Sequence, residues 1–178
     1  MKTLKTMIAA AILFMTVGAV AQNDKHKELM ADADKAKATL LAKDAGLKTY
    51  FDNASGYVIF PNVGKGGLII GGASGNGIVY DNGTAVGLAN LKKLNVGLQA
   101  GGQAVIEVIF FETDAALQRF KDGKFEFSAE ASAVIAEEGA SKNANYNDGV
   151  MVYAMPKAGL MADASVGGQK FGYKPFAQ

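Results

Sequence analysis

Residues 56–80 read GYVIFPNVGKGGLIIGGASGNGIVY, a glycine-dense stretch threaded with Val58, Ile59, Phe60, Leu68, Ile69, Ile70, Ile78 and Val79. A solvated glycine linker carries polar neighbours, not aliphatic and aromatic ones. This composition instead predicts β-sheet in which backbones approach closely, with bulges and sharp bends at the glycines. The remaining segments read as strands that pair with this stretch or helices that cover it.

Upstream, residues 24–52 carry the one long helical pattern. Leu29, Ala33, Ala36, Leu40, Leu47 and Phe51 fall on one narrow stripe at 100° per residue, and Gly46 is placed to split the pattern into two helices. Asn53-Ala54-Ser55-Gly56 ends it. The stripe predicts a helix docked on the sheet. A membrane-surface helix would carry a strongly basic polar face, whereas residues 22–52 hold Lys25, Lys27, Lys35, Lys37, Lys43 and Lys48 against Asp24, Glu28, Asp32, Asp34, Asp44 and Asp52. Only Lys25-His26-Lys27 forms a basic cluster.

Downstream the period becomes two. Asp81-Asn82-Gly83-Thr84 between Ile78-Val79-Tyr80 and Ala85-Val86-Gly87-Leu88 is a hairpin signal, because Asn-Gly accepts the positive φ of a tight turn. Leu94, Val96, Leu98, Ala100 and Ala104 alternate with polar residues, and Ile106, Val108 and Phe110 continue the phase with Glu107 opposite, predicting a long strand bent near Gly101-Gly102. A short helix is predicted near 113–121, capped by Thr113 or Asp114 and closed by Asp122-Gly123. Phe125, Phe127, Ala129, Ala131, Ala133 and Ile135 alternate as a further strand, and Glu137 to Asp148 is loop. Val150 to Met155 and Leu160 to Gln169 form a last pair joined through Pro156-Lys157-Ala158-Gly159.

The fold class is therefore α+β: an N-terminal amphipathic helix packed on a curled, largely antiparallel, glycine-rich β-sheet or partial barrel, with helices to one side and the first and last strands brought together by the curl. Residues 22–55 form the helical segment and 56–175 the β-rich part of one domain.

Residues 1–21 are expected to be a signal peptide. Lys2 and Lys5 precede an apolar run from Met7 to Val17, and Ala19-Val20-Ala21 supplies the small-x-small cleavage pattern. The run is about a dozen residues, short of the roughly 20 that span a bilayer, and no cysteine follows for a lipid anchor. The expected location is periplasmic or secreted, or peripheral on an envelope membrane. Removing Lys2 and Lys5 would leave sixteen basic residues against seventeen acidic ones, which offers no electrostatic footprint for nucleic acid. With no cysteine there is no disulfide or thiolate site.

Catalytic and cofactor motifs fail on detail. Gly64-Lys65 is followed by Gly66 and strand-like sequence, where a P-loop requires Ser or Thr and a helix. A dinucleotide fingerprint also lacks its helix. Ser74 in Gly72-Ala73-Ser74-Gly75-Asn76 lacks the closing glycine of a nucleophile elbow, and the sole histidine, His26, lies in the leading helix, leaving no base for a triad. Glu137, Glu138 and Asp148 read as a solvated acidic loop before a metal site. Glu107, inside the apolar run Val105 to Phe111, would need an amide or lysine partner if buried. No catalytic, cofactor-binding or metal-ligating residue is assigned, and no enzyme activity is expected.

The motifs Gly56-Tyr57-Val58-Ile59-Phe60-Pro61, Gly66-Gly67-Leu68, Gly71-Gly72-Ala73, Gly75-Asn76-Gly77 and Leu98-Gln99-Ala100-Gly101-Gly102-Gln103 resemble the SYLF domain, as do Gly159-Leu160-Met161 and Ser165-Val166-Gly167-Gly168-Gln169-Lys170-Phe171 of its bacterial branch. The resemblance spans roughly Leu29 to Pro175. It implies lipid or membrane binding, with phosphoinositide and actin binding in eukaryotic relatives. Ala136-Glu137-Glu138-Gly139-Ala140 departs from the eukaryotic Gly-Pro-x-Gly-Arg pattern by placing acids where a basic residue stands, and an exported chain would meet neither actin nor phosphoinositides. The expected function is a non-enzymatic lipid- or membrane-associating envelope protein. The alternatives are an interaction protein binding another envelope protein and a small outer-membrane β-barrel, which the lack of tryptophan girdles argues against. Lipid-contact candidates are Lys25, Lys27, Leu29 and Met30, with Lys92 and Lys93 as a second basic spot.

Overall fold

The computed structural model describes residues 24–64, 72–94, 104–125, 127, 133–157 and 168–176. Helix α1 spans residues 24–43, and α2, Leu47–Asn53, follows after the turn at Asp44-Ala45-Gly46. Gly46 splits the helical pattern as expected. The strands are β1 (Gly56–Val63), β2 (Gly72–Asp81), β3 (Thr84–Leu94), β4 (Val105–Phe111), β5 (Val134–Ile135), β6 (Val150–Pro156) and β7 (Gln169–Pro175), with α3 at Asp114–Lys121 and a 3-10 turn at Ala140–Asn143. They form one sheet in the order β5-β6-β4-β1-β2-β3-β7. All pairings are antiparallel except β5 with β6, so the sheet is mixed and the fold is α+β.

Strand β1 lies at the centre, bonded to β2 on one edge and β4 on the other. Tyr57, Ile59, Ile78, Tyr80, Val108 and Phe110 face one way and pack beneath Ala33, Ala36, Leu40, Leu47 and Phe51 of α1 and α2. Val58, Phe60, Val79, Ile109 and Phe111 face the other way, against Ala116, Leu117 and Phe120 of α3. The helices thus cover both faces, not one side. The cause is visible in Val105 to Phe111: a nearly unbroken apolar run has no face to give to water.

The first and last strands do not meet, because β1 has both edges occupied near its start. The sheet instead curls around the α3 side until its margins approach through side chains. Phe171 of β7 packs on Phe60, Phe120, Phe125 and Phe127 at centroid distances of 5.4 to 6.1 Å. Among the described residues the margins meet through rings and not through ladder hydrogen bonds, so the sheet is not a closed barrel. Glu107 also lies inside the curl, 3 % exposed. Gln169 Nε2 donates to its Oε2 at 3.1 Å, an amide partner of the kind its burial demanded.

The hairpin at 81–84 forms, with positive φ at both Asn82 and Gly83. Thr113 caps α3, accepting from the Ala116 N–H at 3.2 Å. Of the two register breaks, one lies away from any glycine and the other makes Val86 the extra residue beside Gly87. They fall between Phe60 and Val63 and opposite Val79 and Tyr80. What Gly77 supplies is room: a Cβ there would lie 2.6 Å from the Ile59 carbonyl oxygen and 2.7 Å from the Phe60 ring. The bend near Gly101-Gly102, most of the strand from Phe125 and the pairing of Leu160 to Val166 lie outside the described residues. From Gln169 onward the chain pairs with β3, not with β6.

Asp44, at the joint between α1 and α2, is 3 % exposed. Its carboxylate accepts from the Gly46 N–H at 3.0 Å, the Ser141 N–H at 2.7 Å and the Tyr153 hydroxyl at 3.0 Å. Tyr50 of α2 donates to the Ala144 carbonyl at 2.6 Å. The helix joint is therefore tied to the 3-10 turn and to β6. Burial pushes the Asp44 carboxyl up, but hydrogen bonds from Ser141, Tyr153 and Gly46 outweigh it and hold the carboxyl below its ordinary value. The ionised form consequently stabilises the fold; that contribution is complete above the ordinary value of 3.8 and is lost as pH falls through the lower folded value.

Two stability measurements check this packing. Gly77→Ala should lower the unfolding free energy by about 1–3 kcal/mol in urea denaturation, because neither the Ile59 carbonyl nor the enclosed Phe60 ring can yield freely. Asp44→Ala should cost about 2–3 kcal/mol at neutral pH by stranding the Ser141 and Gly46 N–H groups. Below pH 3.8 the variant should lose less further stability than the parent, since it lacks the titrating group.

Candidate functional site

The residues that could do chemistry are dispersed. His26 sits in the first turns of α1, its ring 6.0 Å from Phe176, while Ser74 lies in β2. Asp148 is held by Arg119, whose Nη1 donates to it at 2.8 Å, so it does not join Glu137 and Glu138. Among the described residues no three His, Cys, Asp or Glu side chains group as metal ligands. No described helix is long and apolar enough to cross a membrane.

Helix α1 directs its apolar stripe into the core, as the docking expectation had it. Ala33 and Leu40 are fully buried and Ala36 nearly so. The alanines let the helix lie close to the sheet, and polar clips fix it there: Lys37 Nζ donates to the Tyr57 hydroxyl at 3.0 Å and lies 4.5 Å from the Phe51 ring centre. Burial first, then the nearby Asp34 carboxylate, push the Tyr80 hydroxyl far above its ordinary range, so it stays protonated and able to donate to Asp34. The outward face of α1 begins at its first turns. Lys25 and Lys27 are exposed there, whereas Leu29 and Met30 are half-buried against the core.

Between this end of α1 and the sheet runs an open groove. One part, about 420 Å³, is lined by Lys25, His26, Glu28 and Leu88; the other, about 460 Å³, by Pro61, Asn62, Asn90 and Lys92. Leu29, Asp32 and Asn76 border both. The structure therefore brings Lys25, Leu29 and Lys92, assigned separately from sequence, to a single feature. Lys27 and Met30 do not line it, and the Lys93 side chain lies outside what is described.

The floor of the groove belongs to two rungs of the sheet that sequence reading did not single out. In one, Ser74 pairs with Lys92 and Lys92 with Lys170; in the next, Asn76 pairs with Asn90 and Asn90 with Gly172. Residues directly opposite in antiparallel strands share a face. On this face the sheet changes from the apolar Ile78 and Tyr80 under α1 to amides, a hydroxyl and lysines. Gly172 makes space for Asn90: a Cβ there would lie 2.6 Å from the Asn90 amide nitrogen. The sequence signal was the even spacing of Ser74, Asn76 and Ile78, but the partners across the sheet depend on a register that no local pattern gives.

Comparison with known proteins adds two findings. Residues 92–174 match the family model described as Ysc84, Las17-binding protein actin regulator. The chain is also 31% identical over 141 residues to Beta cell expansion factor A of Aeromonas veronii, an alignment covering 78% of this chain and 53% of that protein. The chain thus spans about half the length of that curated relative. The matched segment runs from the end of β3 to β7 and includes the Glu107–Gln169 link and the Lys92–Lys170 rung. Over residues 92–174 this chain therefore matches the SYLF (Ysc84) family, whose domains are of a lipid-binding type.

Proposed function

We propose that the protein is a non-enzymatic lipid- or membrane-associating protein of the bacterial cell envelope. The match of residues 92–174 to the SYLF family is the observation that carries this reading. The arrangement of the surface supports it: Lys25 and Lys27 stand exposed at the start of α1 and Lys92 at the end of β3, where an anionic lipid surface would find cations beside the half-buried Leu29 and Met30. The signal-like residues 1–21 support export. For an exported chain the actin regulation named in the family's description does not carry over.

The contact is a surface one in this reading. The apolar stripe of α1 is engaged with the sheet, so association uses lysines and the rim of the helix, and not an inserted helix face. Deleting residues 22–52 would strip Leu40, Leu47 and Phe51 from the core and would test folding, not binding. Liposome flotation with exposed-site variants is the direct test. The protein should co-float with anionic vesicles, less so as salt rises, and Lys25→Glu with Lys27→Glu should weaken partitioning at least roughly tenfold at about 1 kcal/mol per lysine. Absence of co-flotation with both anionic and zwitterionic vesicles would overturn the reading.

A further inference from the structure

We infer that the polar end of the groove is a binding site for an acidic saccharide, a sugar ring bearing a phosphate or a carboxylate. The cation comes from Lys92, which lines the groove, and from Lys170, which stands directly opposite it on the adjacent strand just beyond the lining. Like charges in that position repel, and every ion pair among the described residues involves other side chains. An anion seated between the two would convert that repulsion into attraction.

A bare anion would leave the rest of the site unused. Ser74, Asn76 and Asn90 present a hydroxyl and two amides beside Lys92, and among the described residues no side-chain hydrogen bond engages any of the three. An amide both donates and accepts, which is what a ring hydroxyl needs. Asp32 on the α1 wall faces the same space and supplies an acceptor on the side away from the lysines. The groove is thus polarised: acceptors toward α1, amides in the middle, cations at the outer strand. A neutral sugar would not answer the lysines, and inorganic phosphate would not answer the amides. A volume of about 460 Å³ lies within the range of small-ligand sites.

Lys92 also figures in the membrane reading, yet this inference does not require that reading, and its test contains no lipid. Isotope-labelled protein is titrated with glucose 1-phosphate, glucuronate, glucose and inorganic phosphate while backbone amide resonances are followed. The two acidic sugars should shift resonances of β2 and β3 around Asn76 and Asn90 with a Kd on the order of 1 mM. Glucose and inorganic phosphate should bind at least roughly tenfold more weakly. Asn90→Ala and Lys170→Gln, both at surface positions, should each weaken acidic-sugar binding by about tenfold. The inference is overturned if neither acidic sugar shifts this face, if inorganic phosphate or glucose binds as tightly as glucose 1-phosphate, or if both variants bind unchanged. Lipid flotation and this titration can each fail without the other.

Discussion

Strand β1 is hydrogen-bonded on both edges and buried on both faces, and the rest of the chain is arranged to make that possible. A central strand with no solvated face needs two covers, and α1 with α2 provides one while α3 and the curl of the sheet provide the other. Each cover contributes aromatic side chains at its point of contact. Phe51 meets Tyr57 and Phe110 edge-on at 5.0 and 4.8 Å, and Phe120 meets Phe111 at 5.2 Å. Such pairs contribute about 0.5–1.5 kcal/mol beyond their area, which lets short helices hold firmly. Gly77 of β2 follows from the same constraint, since two-sided burial of large rings leaves no room for a second side chain across from Phe60.

The groove is the place where this two-sided burial stops. Toward Tyr80 the α1-facing side of the sheet is apolar and the helix lies close on it. Toward Ser74 and Lys92 the same face turns polar and the helix no longer seals it. The site therefore needs no dedicated loop: it is the remainder of a sheet longer than the helix stripe that covers it. Its floor is backbone-paired on β2, β3 and β7, and the helix borders it with Lys25, His26, Glu28, Leu29 and Asp32.

Much of the architecture could be read from local pattern. Asn82-Gly83 dictates its own turn, the stripe from Leu29 to Phe51 dictates an amphipathic helix pair broken at Gly46, and Thr113 dictates a cap. Each of these signals is complete within a few residues. Strand order is not local: nothing between Gly56 and Val63 says that β4 will take its second edge, and nothing in Gln169 to Pro175 says that its partner is β3. Burial on both faces was legible in Val105 to Phe111 as an apolar run broken only by Glu107, but the alternation around it suggested a single phase. The site was the least legible part. Lys92 and Lys170 are far apart in the chain, and only the register of β3 with β7 makes them neighbours.

The curl is closed by Phe171 and its ring neighbours, and rings differ from ladders in what they specify. A ladder fixes which residue stands opposite which, so one insertion slips every later pair. A cluster of rings asks only that enough apolar surface arrive in the same place. A margin of that kind tolerates a change of spacing wherever the rings still arrive together, because loop length alone changes closure entropy slowly. Among the described residues the domain has in effect one margin whose residue-to-residue alignment is not encoded, and it is there that insertions are least costly.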